Sequence, residues 1–300
     1  MLAKLKGIFA PGPAVGDTLH RRRVNLQSRF LIVAETSSRG SMSRVYRAVD
    51  NESGRTICLK VQLPEKNQAA VARASAHAAR PPEGEIAIRF RHPHIVRTLE
   101  YGESNRGEHY LVMEYIDGVS LQYVRETRAA RTAQRVELLA QAAEGLAAVH
   151  AAGFIHHDIN SRNYLVDREQ RAKLIDFGLT IPNTPEFRGP GNRTGTLQYM
   201  APELIRRESI DERIDIYAFG VLAYEFLTDR LPFEGGTSAA LMIQRINTDP
   251  LDPAKARPKL SEEVCQILRK LIARRKEDRW PSMQTLPEAL RSVPAKRPRG

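Results

Sequence analysis

Four short groups of residues in this 300-residue chain carry side chains that could do chemistry together. The first is His156-His157-Asp158-Ile159-Asn160-Ser161-Arg162-Asn163, and the second, soon after it, is Asp176-Phe177-Gly178. Upstream, Lys60 ends the apolar run Ile57-Cys58-Leu59; downstream comes Ala201-Pro202-Glu203. Asp and Asn side chains offer hard oxygens of the kind a magnesium ion takes, and that ion keeps few protein contacts. A lysine on a half-buried apolar strand must find an anion. Positioning and charge neutralisation of this sort are what phosphoryl transfer demands, more than covalent chemistry. An Asp with an Asn five residues on is a weak signal alone. Four groups in order and at workable distances are not chance.

The elements that must hold these residues are legible in outline. Short apolar runs rich in β-branched residues predict strands over Phe30–Glu35, Val45–Val49 and Thr56–Val61, then near Ile95–Tyr101 and Tyr110–Glu114. A turn-rich link, Ser37-Ser38-Arg39-Gly40-Ser41-Met42-Ser43, joins the first two. An Ala-rich helix is expected from Gln68 to Ala79, stopped by Pro81-Pro82, which can start another. After Gly118 the pattern is mainly helical, with a 3.6-residue period over Leu138–His150, Asp215–Thr228 and Val264–Arg274. The expected class is α+β: a small antiparallel-sheet lobe (29–116) with one helix, and a larger, mainly helical lobe (117–292). Ligands favour the cleft between two such lobes. Residues 1–28 read as an N-terminal extension and 293–300 as a basic tail.

Bulk composition narrows the function classes. An apolar fraction of 42%, with nine Tyr and nine Phe, is enough for a core. Cys58 and Cys265 are unmotivated as a pair and fit a reducing cytoplasm. No run of about 18 apolar residues exists, so no membrane span is expected. Pro11 and Pro13 cut off the only short apolar patch after Lys4 and Lys6, which argues against a signal peptide. Net charge is +11, with 36 Arg against 10 Lys, read as a biased, solvated surface. Only Arg21-Arg22-Arg23 and Lys296-Arg297-Pro298-Arg299 cluster, and neither is interleaved with aromatics, so no nucleic-acid partner is expected.

On these motifs, roughly residues 29–292 resemble the eukaryotic-like, Hanks-type protein kinase family, in particular its bacterial serine/threonine members. The resemblance implies a bilobal kinase fold and transfer of the γ-phosphoryl group of Mg-ATP to a protein hydroxyl. It makes Asp158 the catalytic-loop aspartate that accepts or orients the hydroxyl proton. Asn163 and Asp176 become the magnesium ligands. Lys60 meets the phosphates and pairs with Glu83 by family spacing, Glu85 being the rival. Val45 and Cys58 would roof the adenine pocket and Leu165 floor it; Met113 falls at the gatekeeper, with Glu114 to Ile116 as the hinge. Gly195-Thr196-Leu197-Gln198-Tyr199-Met200 resembles the serine/threonine platform, where Thr196 would bond Asp158. Glu203 would pair with Arg279, and Asp215 would brace the catalytic loop. Thr184 and Thr194 are the hydroxyls best placed for autophosphorylation, in a segment, Leu179–Thr194, expected to be mobile.

Three departures from the family pattern bear on activity. In the phosphate-covering segment, which starts near Ser37, the glycine positions fall on Ser38, Gly40 and Ser43, and only one glycine survives. His157 replaces the usual arginine that clamps a loop phosphate. Asn160 replaces the usual lysine, while Arg162 lies where tyrosine kinases place an arginine. A pseudokinase scaffold is therefore the rival reading, and a tyrosine or dual-specificity kinase a lesser one. A small-molecule kinase would lack the downstream platform.

Overall fold

The computed structural model describes residues 23–36, 43–62, 80–190 and 195–294. The chain divides into two compact units, one formed by 1–69 and 98–115, the other by 70–97 and 116–300. Among the described residues no helix is long and apolar enough to cross a membrane.

The first unit is a five-stranded antiparallel sheet. Its strands are β1 (Phe30–Glu35), β2 (Ser43–Asp50), β3 (Thr56–Gln62), β4 (Thr98–Glu103) and β5 (His109–Glu114), in the order β1-β2-β3-β5-β4. Register decides which side chains meet. Val45 lies opposite Lys60, which lies opposite Leu111; Cys58 lies opposite Met113. Side chains alternate between faces, so Val45, Cys58, Lys60, Leu111 and Met113 share one face. The opposite face carries Ala48, Ile57, Leu59, Val61, Tyr110 and Val112, which close over Phe30 as an apolar core. Each such buried aliphatic side chain contributes on the order of 1.5–3 kcal/mol.

The chain just before β1 is built into this sheet. Val24 and Leu26 pack on the same core, and Asn25 caps the single turn α1 (Leu26–Arg29) by accepting from Gln27 N. Arg29 then donates two bonds of 2.8 Å to Glu100, which also accepts from Tyr110 OH at 2.6 Å. The fourth strand starts later than its apolar pattern suggests. Ile95 and Val96 instead bridge to Leu174, Val96 N donating to its carbonyl at 2.8 Å. The expected helix over Gln68–Ala79 lies outside the described residues.

Among the described residues, the first helix of the second unit is the five-residue α2 (Glu83–Ala87), entered from Pro82. After β6 (Gly118–Ser120) come α3 (Leu121–Glu126) and α4 (Thr132–Ala151). Four short strands follow: β7 (Phe154–Ile155), β8 (Tyr164–Asp167), β9 (Ala172–Leu174) and β10 (Ile181–Pro182). The remaining helices are α5 (Pro202–Arg206), α6 (Arg213–Thr228), α7 (Ser238–Asn247), α8 (Pro253–Ala256), α9 (Glu262–Leu271) and α10 (Leu286–Ser292). Helix α6 is buried along its whole length after Arg213, as expected of a helix apolar on every side. A glycine costs a mid-helix position stability, yet Gly145 sits inside α4. A Cβ there would run into the His94 carbonyl, so the close approach requires glycine.

Candidate active site

The site is organised from α6 outward. Asp215, in the first turn of α6, is buried and accepts three bonds: His156 N at 2.7 Å, His157 N at 2.8 Å and His150 Nε2 at 3.0 Å. Burial alone would raise the Asp215 carboxyl, but the His150 bond and the backbone amides hold it below the ordinary aspartate range. Residue His157 has φ +73, a left-handed conformation uncommon for a side-chain-bearing residue. Its amide bond to Asp215 holds that turn. Burial pushes the imidazoles of His156 and His157 below their ordinary value, against the pull of nearby carboxylates.

The turn presents Asp158. Its Oδ1 accepts from Thr196 N at 3.1 Å and Thr196 Oγ1 at 2.9 Å. Its Oδ2 accepts from Asn163 Nδ2 at 3.0 Å, which also reaches the Asp158 carbonyl at 2.8 Å. The amide Nδ2 of Asn160 donates to that carbonyl at 3.2 Å and to Thr196 Oγ1 at 3.4 Å, and its Oδ1 accepts from Arg162 N. So the asparagine in the usual lysine position ties the loop together internally. Arg162 is exposed, and its guanidinium makes no ion pair among the described residues. Gly195 has φ +97, and a Cβ there would lie 2.7 Å from the His157 carbonyl. Only glycine lets Thr196 come this close to Asp158.

Beside this loop runs the Asp176-Phe177-Gly178 turn. Ile175 N donates to the Asn163 carbonyl at 3.0 Å, and Asp176 Oδ1 accepts from Gly178 N at 2.8 Å. Phe177 is buried, stacked on Phe90 at 4.9 Å and tilted against His156 at 5.4 Å. The amide oxygen of Asn163 accepts no hydrogen bond among the described residues. It is a hard oxygen of the type magnesium takes, so the donor chemistry of Asn163 and Asp176 fits that ion. No group of three or more His, Cys, Asp or Glu among the described residues could hold a metal. A magnesium ion here would therefore rely on water and phosphate oxygens as well.

The segment after Thr196 is held rigidly. Arg245 of α7 is buried and donates to the carbonyls of Leu197, Gln198 and Met200. Glu203 and Arg279 form a buried bidentate pair at 2.6 and 2.7 Å. Tyr199 donates to Glu225 at 2.5 Å and meets Ser161 Oγ at 3.1 Å; Arg125 pairs with the same Glu225 at 3.0 Å. Of these, His150, Arg245, Glu225 and Arg125 escape sequence reasoning, because nothing in their local pattern names a distant partner. Residues 179–190, expected to be mobile, are anchored. Asn183 N donates to the Gly153 carbonyl at 2.8 Å, Arg188 Nε donates to Asn183 Oδ1 at 2.7 Å, and Ile210 N donates to the Arg188 carbonyl. Thr184 is half-buried there, whereas Thr194 lies outside the described residues.

The remaining expected residues divide as follows. Lys60 and Met113 are buried and Val45 and Cys58 half-buried on one sheet face; Glu114 ends β5. Burial pushes the Cys58 thiol up to about 11, with the Lys60 charge opposing. Ile116 follows β5 and Leu165 lies in β8, both half-buried. Ser43 is buried, while Ser37, Ser38 and Gly40 lie outside the described residues. Of the two glutamates in α2, Glu83 is buried, and Glu85 is half-buried and paired with Arg89 at 3.1 Å.

Residues 34–290 match the sequence model of the protein kinase domain. The chain belongs to the protein kinase domain family. A probable serine/threonine-protein kinase pknA2 of Bifidobacterium longum is 29% identical over 275 residues, covering 91% of this chain and 36% of the relative. A serine/threonine-protein kinase pkn2 of Myxococcus xanthus is 33% identical over 276 residues, covering 88% and 32%. A serine/threonine-protein kinase PknB of Mycobacterium tuberculosis is 31% identical over 253 residues, covering 80% and 39%. The chain spans roughly a third to two-fifths of the length of these relatives. With the α+β architecture, they make this a protein kinase domain of the bacterial Hanks type.

Proposed function

We propose that this protein kinase domain transfers the γ-phosphoryl group of ATP to serine or threonine hydroxyls of a protein substrate. The observation that carries the reading is the fixed carboxylate of Asp158, held at Oδ1 by Thr196 and at Oδ2 by Asn163. A carboxylate fixed in this way is oriented to accept a hydrogen bond from an incoming hydroxyl and to take its proton as transfer proceeds. Thr196 and the segment pinned by Arg245 form the platform for the acceptor. Asn163 Oδ1 and the Asp176 carboxylate are the magnesium ligands, and that ion, when bound, neutralises charge on the ATP phosphates. Lys60 would contact those phosphates; Arg162, exposed and unpaired among the described residues, adds positive charge near the γ-phosphate. Of the sheet residues, Val45, Cys58, Met113 and Glu114 would face the nucleotide.

His157 shapes the regulation. A half-buried neutral imidazole cannot clamp a phosphate as an arginine does, so activity does not depend on a phosphorylated loop. Autophosphorylation at Thr184 or Thr194 would then mark the enzyme rather than switch it. Both cysteines are free thiols, which suits a cytoplasmic setting. The preference for serine and threonine rests on the Gly195-to-Glu203 platform and the names of the relatives. The test is incubation with labelled ATP, magnesium and a mixed protein acceptor, followed by phosphoamino-acid analysis. Phosphotyrosine as the main product would overturn the specificity, and no transfer to any acceptor would favour a scaffold role.

A further inference from the structure

Away from this site, the second unit holds an open cavity of about 550 Å³ lined by, among others, Arg128, Arg131, Thr132, Arg135, Asp229 and Arg257. None of these residues has a part in the roles given above. Four guanidiniums stand around one carboxylate, an excess of three positive charges. That carboxylate is fully engaged: Asp229 takes Arg135 Nη1 at 2.6 Å on one oxygen and Arg257 Nη1 at 2.7 Å on the other.

Arg135 has only 6% of its side chain exposed. Its Nη1 also donates to the Phe226 carbonyl at 2.7 Å and its Nε to the Ala130 carbonyl at 3.2 Å. Its Nη2 has no partner among the described residues, so a buried guanidinium keeps unused donors in the wall of the cavity. Arg128 and Arg131 are exposed and make no ion pair among the described residues. Arg128 is moreover held at φ +54, a left-handed conformation that costs an arginine energy. Thr132 opens the twenty-residue helix α4, so the positive end of that helix's dipole lies at the same place.

Like charges lining one cavity repel, and an anion bound among them relieves the repulsion. The anion that matches planar, forked donors is one with several oxygens, above all phosphate, which arginine binds through paired hydrogen bonds. The volume is within the usual range for ligand pockets, large enough for a phosphate and the group bearing it. We propose that this cavity binds a phosphate monoester dianion. The source is either a free phosphorylated small molecule or a phosphorylated serine or threonine side chain.

Calorimetric titration of the full chain in low-salt buffer tests this, with inorganic phosphate, O-phosphoserine, and a phosphoserine peptide beside its unphosphorylated form. The comparison is with Arg128→Glu/Arg131→Glu and the milder Arg128→Gln/Arg131→Gln. Both positions are exposed, so melting curves should match wild type. Charge-assisted arginine contacts are the strong kind, so phosphate affinity should fall by roughly tenfold or more in both variants. A phosphopeptide binding tighter than inorganic phosphate identifies a protein-borne group; equal affinities identify a free phosphate compound. Binding unchanged in both variants would place the anion elsewhere, the nucleotide site included, and overturn the proposal. So would no binding to wild type, or equal binding of the unphosphorylated peptide.

Discussion

Replacing Asp215 by alanine removes the single acceptor shared by the amides of His156 and His157 and by the imidazole of His150. The imidazole can be re-satisfied by a shift of its side chain, but the two amides cannot leave the loop. Each buried donor left unpaired costs about 1–3 kcal/mol, so the two amides together cost about 2–6 kcal/mol. For a domain of this size, that lowers the melting temperature by roughly 5–20 °C. The loss also falls on geometry. Without its bond to Asp215, His157 is no longer held at φ +73, and Asp158 moves with it. Asp215→Asn keeps one carbonyl oxygen and turns an NH2 toward the other amide, so about half of the stability loss is expected. Thermal denaturation followed by circular dichroism reads the first effect. Initial rates at saturating ATP read the second, as a fall in kcat with the KM for ATP little changed. A pH series adds a sign. The carboxyl is held below its unfolded value, so its contribution is full above the ordinary aspartate range and is lost on acidification below about pH 4. The alanine variant should lack that acid limb. An Asp215→Ala protein within about 0.5 kcal/mol of wild type, turning over normally, would refute the brace.

Three further outcomes are expected. Gly195→Ala sets a Cβ 2.7 Å from the His157 carbonyl at a φ of +97; a strained residue of this kind costs about 1–3 kcal/mol, and phosphoryl transfer should fall with it. Arg279→Met leaves Glu203 as an unpaired buried charge and should destabilise by about 3–5 kcal/mol in urea titration, whereas Glu203→Leu/Arg279→Met should recover part of that loss. Cys58, with its thiol pushed up to about 11, should be alkylated at pH 8 roughly a hundredfold more slowly than a free cysteine and gain reactivity toward pH 11, read by mass spectrometry.

Local patterns carried most of the architecture into view. β1 spans Phe30–Glu35 as its β-branched run predicts, and the buried helix α6 begins two residues before its apolar period. Pairings that the family resemblance implies also appear: Thr196 on Asp158, Arg279 on Glu203, Asp215 on the loop amides. What stayed hidden depends on distant partners. Ile95 reads as strand by composition, yet Leu174 takes its backbone. Arg245 carries no local signal, and only the fold brings three carbonyls to it. The segment Leu179–Thr194 is rich in proline and reads as loose, but its residues 179–190 are anchored by bonds from Asn183 to Gly153 and Glu212 and from Ile210 to Arg188. Val24 and Leu26 show no periodicity and still close the edge of a core.

Asp158, on this reading, is the oriented proton acceptor in phosphoryl transfer to a hydroxyl. The direct measurement is the initial rate of transfer from labelled ATP with magnesium for wild type, Asp158→Asn and Lys60→Met, each checked for nucleotide binding and for unchanged melting. Loss of a general base typically costs about 100- to 10,000-fold. A fall of that order is expected for Asp158→Asn with ATP still bound, and a comparable loss for Lys60→Met. Transfer by Asp158→Asn at the wild-type rate, or no transfer by wild type despite nucleotide binding, would contradict it.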